Sequence, residues 1–142
     1  MNNYNIKADF ENMDIVAIHN FLSKESYWAK GIPLETVATS LKNSFCAGVF
    51  DGEVQIGFAR LITDYATFAY LADVCILEEY RGKGLSKMLM KHIMDLEWTK
   101  GLRRILLATL DAHSLYQQFE FQPPQNPESL MEIKRNNIYQ NG

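Results

Sequence analysis

The 142-residue sequence has few cysteines and no excess of positive charge, and each shortage excludes a class of protein. Its two cysteines, Cys46 and Cys75, lie in apolar runs without metal-site spacing, whereas a disulfide scaffold needs more cysteines in a shorter chain. We therefore expect two reduced, buried thiols. The 14 Lys and Arg against 17 Asp and Glu give a net charge of -3 at pH 7. Nucleic acid is not an expected partner, because domains that bind it carry a strong basic excess.

The sequence also lacks long hydrophobic runs, low-complexity tracts and internal repeats. No apolar run approaches the roughly 18 residues of a membrane span, and residues 1–4 lack the basic and apolar regions of a signal peptide. We expect a cytoplasmic protein with no membrane partner. A hydrophobic fraction of 47% and a charged fraction of 22% are typical of a globular chain. The length predicts a single domain over residues 1–142.

Hydrophobic periodicity predicts a mixed fold of helices and strands. The predicted helices span residues 12–23, 34–41, 85–96 and 114–119. The predicted strands span residues 5–8, 45–50, 54–62, 68–77 and 104–110, with one or two closing strands at Phe121 and 130–134. The dipeptide Asp51-Gly52 indicates a hairpin, and Gly57 in the strand that follows is typical of a bulge. The run 104–110 is predicted to be a buried strand parallel to 68–77, because a helix connects the two.

The stretch Tyr80-Arg81-Gly82-Lys83-Gly84-Leu85-Ser86 joins a predicted strand to a predicted helix. Two glycines one residue apart let backbone amides approach a ligand without obstruction by Cβ atoms. The first-turn N–H groups and the positive end of the helix dipole favour a phosphate or another anion. Arg81, Lys83 and Lys87 add positive charge. We interpret the stretch as a pyrophosphate-binding loop, with a plain strand-to-helix turn as the alternative.

Two familiar phosphate-binding patterns do not fit this loop. The dinucleotide fingerprint G-x-G-x-x-G needs a third glycine where this chain has Lys87. The P-loop needs a lysine directly after its last glycine, but Leu85 follows Gly84. Another nucleotide or phosphate ligand remains an alternative. The elements before and after the loop are therefore needed to decide which ligand it binds.

In the order of its elements the chain resembles the GNAT superfamily of acyl-CoA-dependent N-acetyltransferases. The family signature [Q/R]-x-x-G-x-[G/A] is matched by Arg81, Gly84 and Ser86, with Ser86 as a small-residue variant of the last position. Residues 112–121 match the family segment A-x-x-L-Y-x-x-x-G-F. The resemblance implies an α/β (α+β) GNAT fold: a mixed sheet of six to seven strands with an antiparallel N-terminal meander, flanked by about four helices.

The resemblance also implies acetyl-CoA as the cosubstrate, with no metal. The pyrophosphate is expected on backbone amides of the loop, and the pantetheine arm is expected along the preceding strand by main-chain recognition. The implied acetyl-CoA contacts are Val74, Cys75, Ile76, Arg81, Gly82, Lys83, Gly84, Leu85, Ser86, Lys87, Thr109 and Tyr116. Two departures matter: Thr109 stands where family members often have a pantetheine-binding asparagine, and Glu120 replaces a turn glycine. The first puts a side-chain contact in doubt, and the second affects only a turn.

The implied chemistry is direct attack of an amine on the thioester, with Tyr116 protonating the leaving sulfur. An ordinary tyrosine pKa of about 10 lies near a thiol pKa of about 8.5, which suits a proton donor. Simple packing of Tyr116 against the sheet is the alternative. The candidate bases are Asp73, His113 or a water chain, and Asp73 could instead pair with a basic side chain.

The acceptor site is expected where the first two helices and the loop between the second and third meander strands meet. The residues predicted to bind the acceptor are Tyr27, Trp28, Tyr65 and Asp73. Aromatic side chains without an acidic groove favour a small-molecule amine, although Tyr27 and Trp28 could merely cover the core. Acetylation of a protein amine and a non-catalytic acyl-CoA-binding module are the alternatives. The oligomeric state is expected to be monomer or homodimer.

Overall fold

In the computed structural model, which describes residues 3–140, five strands form one mixed sheet in the order β1-β2-β3-β4-β5. The strands are β1 Tyr4–Ala8, β2 Phe45–Asp51, β3 Val54–Thr63, β4 Phe68–Ile76 and β5 Arg104–Leu107. β1 to β4 pair antiparallel in succession, whereas β5 pairs parallel to β4. The predicted fold class is confirmed, but the described chain has five strands rather than six to seven.

The closing strands predicted at Phe121 and 130–134 do not form. The segment between them is rich in proline, and Pro123 and Pro124 have no N–H to donate to a ladder. Met131 and Ile133 are 97% and 85% exposed, so no apolar surface holds the segment as a strand. β5 is also half-buried and shorter than the predicted buried strand, which ran to residue 110.

Within residues 3–140, five short α-helices flank the sheet. They are α1 Ile15–Asn20, α2 Leu34–Lys42, α3 Leu85–Met94, α4 Glu97–Lys100 and α5 His113–Gln117. The helix predicted over 12–23 is broken into a 3₁₀ turn Phe10–Asn12, then α1, then a π-helical turn Phe21–Glu25. Asp14 fixes the start of α1, because its Oδ1 accepts a hydrogen bond from the N–H of Ala17 at 3.1 Å. No helix within residues 3–140 has the length and apolar character needed to cross a membrane.

Each face of the sheet has its own hydrophobic core. On one face, α3 packs on β2 to β4, and the fully buried side chains include Val49, Leu61, Leu89, Met90 and Ile93. On the other face, α1 and α2 cover the sheet, and the fully buried or nearly buried side chains include Ile18, Val37, Leu41, Cys46 and Phe58. The sheet therefore has an α3 face and an α1/α2 face.

A bulge in β4 decides which of its side chains lie on each face. Arg60 of β3 pairs with Asp73, and Leu61 pairs with Leu71, so Ala72 is an extra residue in β4. Leu71 belongs to the core of the α3 face, whereas Cys75 belongs to the core of the α1/α2 face. The bulge thus reverses the alternation and places Asp73 on the α1/α2 face, opposite Arg60.

The bulge predicted at Gly57 lies at its neighbour, Ile56. Val49 pairs with Gly57 and Phe50 pairs with Gln55, so Ile56 is the extra residue in β3. Gly57 has a separate role, because a Cβ atom there would lie 2.8 Å from the Cys75 carbonyl oxygen. Glycine at this position lets β3 approach the end of β4.

β4 extends beyond β5. The parallel pairing ends at Leu71 and Leu107, whereas β4 runs on to Ile76. Residues 72–76 therefore have no partner in β5, and this gap leads directly into the loop that follows β4.

Candidate active site

The loop after β4 forms an open, glycine-lined pocket. Gly82 and Gly84 have φ values of 80° and 77°, the left-handed conformation that favours glycine. A Cβ atom at either position would meet no protein atom within 4 Å, so the space in front of the backbone is free. The pocket has a volume of about 340 Å³ and is lined by Ile76, Tyr80, Arg81, Gly82, Gly84, Leu85, Ser86, Lys87 and Leu115. Tyr80 belongs to the stretch predicted to bind pyrophosphate and Leu115 belongs to the matched segment 112–121, but neither was predicted as a ligand contact.

The N-terminus of α3 faces this pocket. Gly84 is the N-cap and has no side chain to accept from the first turn, and Leu85, Ser86 and Lys87 all line the pocket. The N–H groups of a first helical turn have no partner within the helix, so they and the helix dipole offer a site for an anion. Lys87 adds an exposed cation at the same place. The loop therefore has the geometry of an anion site.

Two hydrogen bonds fix the loop to the sheet. Arg81 donates from Nε to the carbonyl oxygen of Ile76 at 3.0 Å. Tyr80 donates from its phenol to Oδ2 of Asp51 at 3.0 Å, and this hydrogen bond raises the pKa of Tyr80. The side chain of Arg81 thus holds the loop against the end of β4, in addition to supplying charge.

At the end of β4, Val74, Cys75 and Ile76 lie beyond the pairing with β5, so a ligand on that side would meet the backbone edge of the strand. The Cys75 side chain points into the α1/α2 face and is 6% exposed. Burial raises the pKa of its thiol well above the ordinary range, so Cys75 is not a nucleophile. This placement agrees with a main-chain role for the strand.

Tyr116 lies on α5 and is half-buried against the α3-face core, to which Ile76 and Leu85 belong. Its neighbour Leu115 lines the glycine-loop pocket. Burial, with smaller contributions from Tyr27 and Asp111, raises the pKa of Tyr116 to about 12. The pKa expected from the sequence was the ordinary value near 10. The phenol therefore stays protonated at neutral pH and is a weaker acid than expected.

The end of α5 holds Tyr116 in place through a Schellman motif. The N–H of Phe121 donates to the Tyr116 carbonyl oxygen at 3.2 Å, and the N–H of Glu120 donates to that of Gln117 at 3.2 Å. The rings of Tyr116 and Phe121 meet edge to face at 5.9 Å, the hydrophobic contact that accompanies this motif. Glu120 has a φ of 72°, the left-handed conformation that favours glycine, which is the residue that the family segment expects at this position.

Thr109 is engaged at the start of α5. Its hydroxyl oxygen accepts from the N–H of Ala112 at 3.1 Å and from that of Asp111 at 3.4 Å. The hydroxyl therefore supports the turn into the helix, and its contact with pantetheine stays a prediction. His113, the first residue of α5, is exposed.

Asp73 is the centre of a buried hydrogen-bonded cluster. The Trp28 indole Nε1 donates to its Oδ1 at 2.6 Å, and Arg60 Nε donates to its Oδ2 at 2.7 Å. The Asp73 side chain is only 4% exposed. Of the two alternatives considered for Asp73, the structure shows pairing with a basic side chain. Arg60 was not among the predicted site residues, although a lone arginine in an apolar strand is a signal for a buried partner.

Tyr27 and Trp28 come together with Tyr116. Their rings meet edge to face at 4.9 Å, and Tyr27 lies near enough to Tyr116 to contribute to the raised pKa of its phenol. Tyr27 is 60% exposed and Trp28 is 42% exposed, so both present ring surface to solvent beside the end of β4. Trp28 thus contacts both Asp73 and Tyr27, and Tyr27 is the member of this group that lies near Tyr116.

Tyr65 lies elsewhere. It is in the turn before β4, at the opposite end of that strand from the glycine loop, and its ring meets Trp98 at 4.8 Å. Asp64 stabilises this turn by accepting backbone hydrogen bonds from Ala66, Thr67 and Phe68. The substrate role predicted for Tyr65 gains no support from this position. Within residues 3–140, no group of three or more His, Cys, Asp or Glu is placed to hold a metal ion.

Comparisons with known proteins agree with this geometry. The acetyltransferase (GNAT) family profile matches residues 15–121. A GNAT-family structure from Xanthomonas campestris pv. campestris, whose acetyltransferase activity is inferred, has 47% sequence identity over 98% of both chains and a TM-score of 0.94. A GNAT-family protein from Streptococcus pneumoniae shares the fold at 20% identity, with a TM-score of 0.73 over 95% of this chain and 99% of that one.

A curated relative from Gibberella zeae, whose acetyltransferase activity is likewise inferred, is 29% identical over 133 residues. The match covers 80% of this chain and 75% of the relative. The family profile spans 107 of the 142 residues, counting both ends of 15–121, and includes the loop and α5. The chain therefore belongs to the GNAT acetyltransferase family.

Proposed function

We propose that this protein transfers the acetyl group of acetyl-CoA to a primary amine of a small molecule. One observation carries the proposal: an anion-binding loop directly follows the stretch of β4 that has no partner in β5, and Leu115, the neighbour of Tyr116 on α5, lines the same pocket as Ile76. The phosphate groups of acetyl-CoA would meet the loop, and its extended amide-containing arm would meet the unpaired stretch of β4. Its thioester would lie near Tyr116. Family membership supports the reaction class.

The chain's own residues fit acetyl-CoA. The pyrophosphate would lie against the N–H groups of residues 82–87, where the left-handed glycines leave open space and Lys87 adds charge. The amides of pantetheine would bond the backbone groups of residues 72–75 that point away from β3, as an added strand would. Both contacts are made by the main chain, so the apolar side chains of β4 remain in the core.

Tyr116 would act as a hydrogen-bond donor to the leaving sulfur. Its pKa of about 12 lies well above the roughly 8.5 of a free thiol, so complete proton transfer to the thiolate is unfavourable. A protonated phenol can still stabilise the charge that develops on sulfur as the carbon–sulfur bond breaks. The proton lost by the amine balances the one finally gained by the thiol.

Asp73 is a poor candidate for the base. Each of its oxygens already accepts a short hydrogen bond, one from Trp28 and one from Arg60, and the carboxylate is almost fully buried. We therefore assign Asp73 a structural role on the acceptor side. Deprotonation of the amine is assigned to water. The exposed rings of Tyr27 and Trp28 would pack against the acceptor's carbon skeleton.

The cytoplasm is the proposed compartment. Cys46 and Cys75 are both buried, and neither forms a disulfide. Free thiols of this kind are usual where the surroundings are reducing.

Release of free thiol from acetyl-CoA, measured against a panel of small amines, tests the proposal. We expect at least one amine to raise the rate well above that of hydrolysis, with one acetylated amine formed for each thiol released. Tyr116→Phe should lower kcat on the order of tenfold or more, because it removes the donor to sulfur. If acetyl-CoA binds but no amine is acetylated, the protein is a non-catalytic acyl-CoA-binding module and the proposal fails.

A further inference from the structure

A continuous chain of hydrogen bonds links the interior of the sheet to the acceptor side. Trp28 donates to Asp73 at 2.6 Å, and Arg60 donates from Nε to the same carboxylate at 2.7 Å. Arg60 also donates from Nη1 to the Ser44 hydroxyl at 3.2 Å, and Ser44 donates to the carbonyl oxygen of Ser40 in α2 at 2.7 Å. The guanidinium therefore ties β4 to the segment between α2 and β2.

This arrangement is built into the fold. Arg60 and Asp73 are direct cross-strand partners only because the bulge at Ala72 turns Asp73 to the α1/α2 face. The side chains are 16% and 4% exposed, so the pair is largely shielded from water. A buried ion pair adds little stability compared with apolar residues of similar size, but it fixes the positions of the groups that it holds. Its position next to the acceptor side points to such a role.

The Trp28 indole is the outermost group that the Arg60–Asp73 ion pair holds in place. Trp28 lies between the π-helical turn Phe21–Glu25 and α2, in a stretch without regular secondary structure. Its N–H donates to Asp73, its ring lies 6.3 Å from the Phe21 ring, and the Tyr27 ring packs edge-on against it at 4.9 Å. The carboxylate therefore contacts one exposed aromatic ring directly, and the second ring packs on the first.

We propose that Arg60 is a positioning residue that, through Asp73, holds Trp28 and Tyr27 in the orientation that binds the acceptor amine. The proposal rests on the function proposed above. It deepens that function by assigning acceptor affinity to a buried ion pair that does not itself line the exposed surface. None of Arg60, Asp73, Trp28 and Tyr27 lines the glycine-loop pocket, and Asp73 would meet pantetheine only through its backbone, so the side chains of Trp28 and Tyr27 should not affect acetyl-CoA binding.

Tryptophan fluorescence tests the positioning without any enzymatic assay. The chain has two tryptophans, Trp28 and Trp98, so Trp98→Phe leaves Trp28 as the only indole, and Trp28→Phe leaves Trp98 as a matched control. In the Trp98→Phe background, Arg60→Lys should shift Trp28 emission to longer wavelength and raise acrylamide quenching by about twofold. In the Trp28→Phe background, Arg60→Lys should leave Trp98 emission and quenching unchanged. Arg60→Gln is the second variant if the lysine variant does not fold.

A kinetic experiment uses the amine that shows the highest turnover in the panel of small amines. Trp28→Phe keeps an aromatic ring and the ion pair but removes the indole N–H, so it should raise KM for the amine about tenfold. The KM for acetyl-CoA should stay within about twofold of the wild-type value, and Trp98→Phe should change neither constant.

The outcomes separate this inference from the function on which it rests. Unchanged Trp28 emission and quenching in a folded Arg60 variant would overturn it, as would an equal change at Trp98, which indicates general loosening. An unchanged amine KM in Trp28→Phe would also overturn it. If no amine is acetylated, the proposed function fails, while the fluorescence result still decides whether Arg60 positions Trp28.

Discussion

Replacing Gly84 by alanine should abolish most acetyl-CoA binding while leaving the protein folded. Gly84 has a φ of 77°, and an L residue in the left-handed region costs roughly 1–2 kcal/mol. Its Cβ atom would contact no protein atom, but it would stand in the space where the pyrophosphate is proposed to lie. Loss of one or two hydrogen bonds to a charged group, at about 1.5–3 kcal/mol each, weakens binding on the order of 100-fold.

Gly52 provides a matched control. It has a φ of 61° in the hairpin between β2 and β3, and a Cβ atom there would also meet nothing within 4 Å. Gly52→Ala should therefore cause similar backbone strain without touching the pocket. Both variants should lose about 1–2 kcal/mol of unfolding free energy, and only Gly84→Ala should lose the ligand effect.

Thermal unfolding measures both effects in one experiment. At a ligand concentration of 100 Kd, binding stabilises the folded state by about 2.7 kcal/mol, which falls to about 0.4 kcal/mol if Kd rises 100-fold. At roughly 3 °C per kcal/mol for a chain of this size, acetyl-CoA should raise Tm by about 8 °C in the wild type and in Gly52→Ala. In Gly84→Ala the rise should be about 1 °C. An undiminished rise in Gly84→Ala would refute the placement of the pyrophosphate.

Three further predictions concern stability and reactivity. Burial raises the pKa of Tyr116 to about 12 from about 10 in the unfolded chain, so its contribution to stability is present below pH 10 and is lost as the pH rises through 12. Urea unfolding at pH 9 and pH 11.5 should therefore show a smaller loss for Tyr116→Phe than for the wild type, and equal losses would contradict the burial argument. Glu120→Gly should raise the unfolding free energy by about 0.5–1 kcal/mol, because relief of left-handed strain exceeds the added entropy of the unfolded chain; a lower denaturation midpoint would speak against it. Burial raises the pKa of Cys46 to about 11 and that of Cys75 still more clearly, so iodoacetamide at pH 8 should label neither thiol until denaturant is added, and rapid labelling of the native protein would disprove their burial.

Local patterns in the sequence were enough to predict most of the elements. The hairpin at Asp51-Gly52, the meander and the helix after Gly84 all follow from short-range periodicity and turn chemistry, and they lie within a few residues of the predicted positions. The loop was also predictable, because its glycines, its basic residues and the start of α3 are adjacent in sequence. The failure of the closing strands shows the limit: an alternating apolar run becomes a strand only where a sheet edge and a covering surface accept it.

The acceptor side was less predictable, because it depends on register. Nothing in the sequence near Ala72 indicates a bulge, yet this one extra residue determines the face on which Asp73 lies. The bonds from Asp73 to Arg60 and Trp28 span 13 and 45 residues. The raised pKa of Tyr116 likewise depends on burial and on Tyr27, which lies far away in the sequence. Such properties arise only when the strands are paired and the cores are packed.

Amide hydrogen exchange with and without acetyl-CoA tests the central claim most directly. The account predicts that acetyl-CoA slows exchange at the N–H groups of residues 82–87 and at the free-edge amides of residues 72–76. The hairpin between β2 and β3, at the turn that contains Gly52, should exchange at the same rate in both states. Binding of acetyl-CoA without protection of the loop and the end of β4, or with protection centred on other elements, would contradict the account.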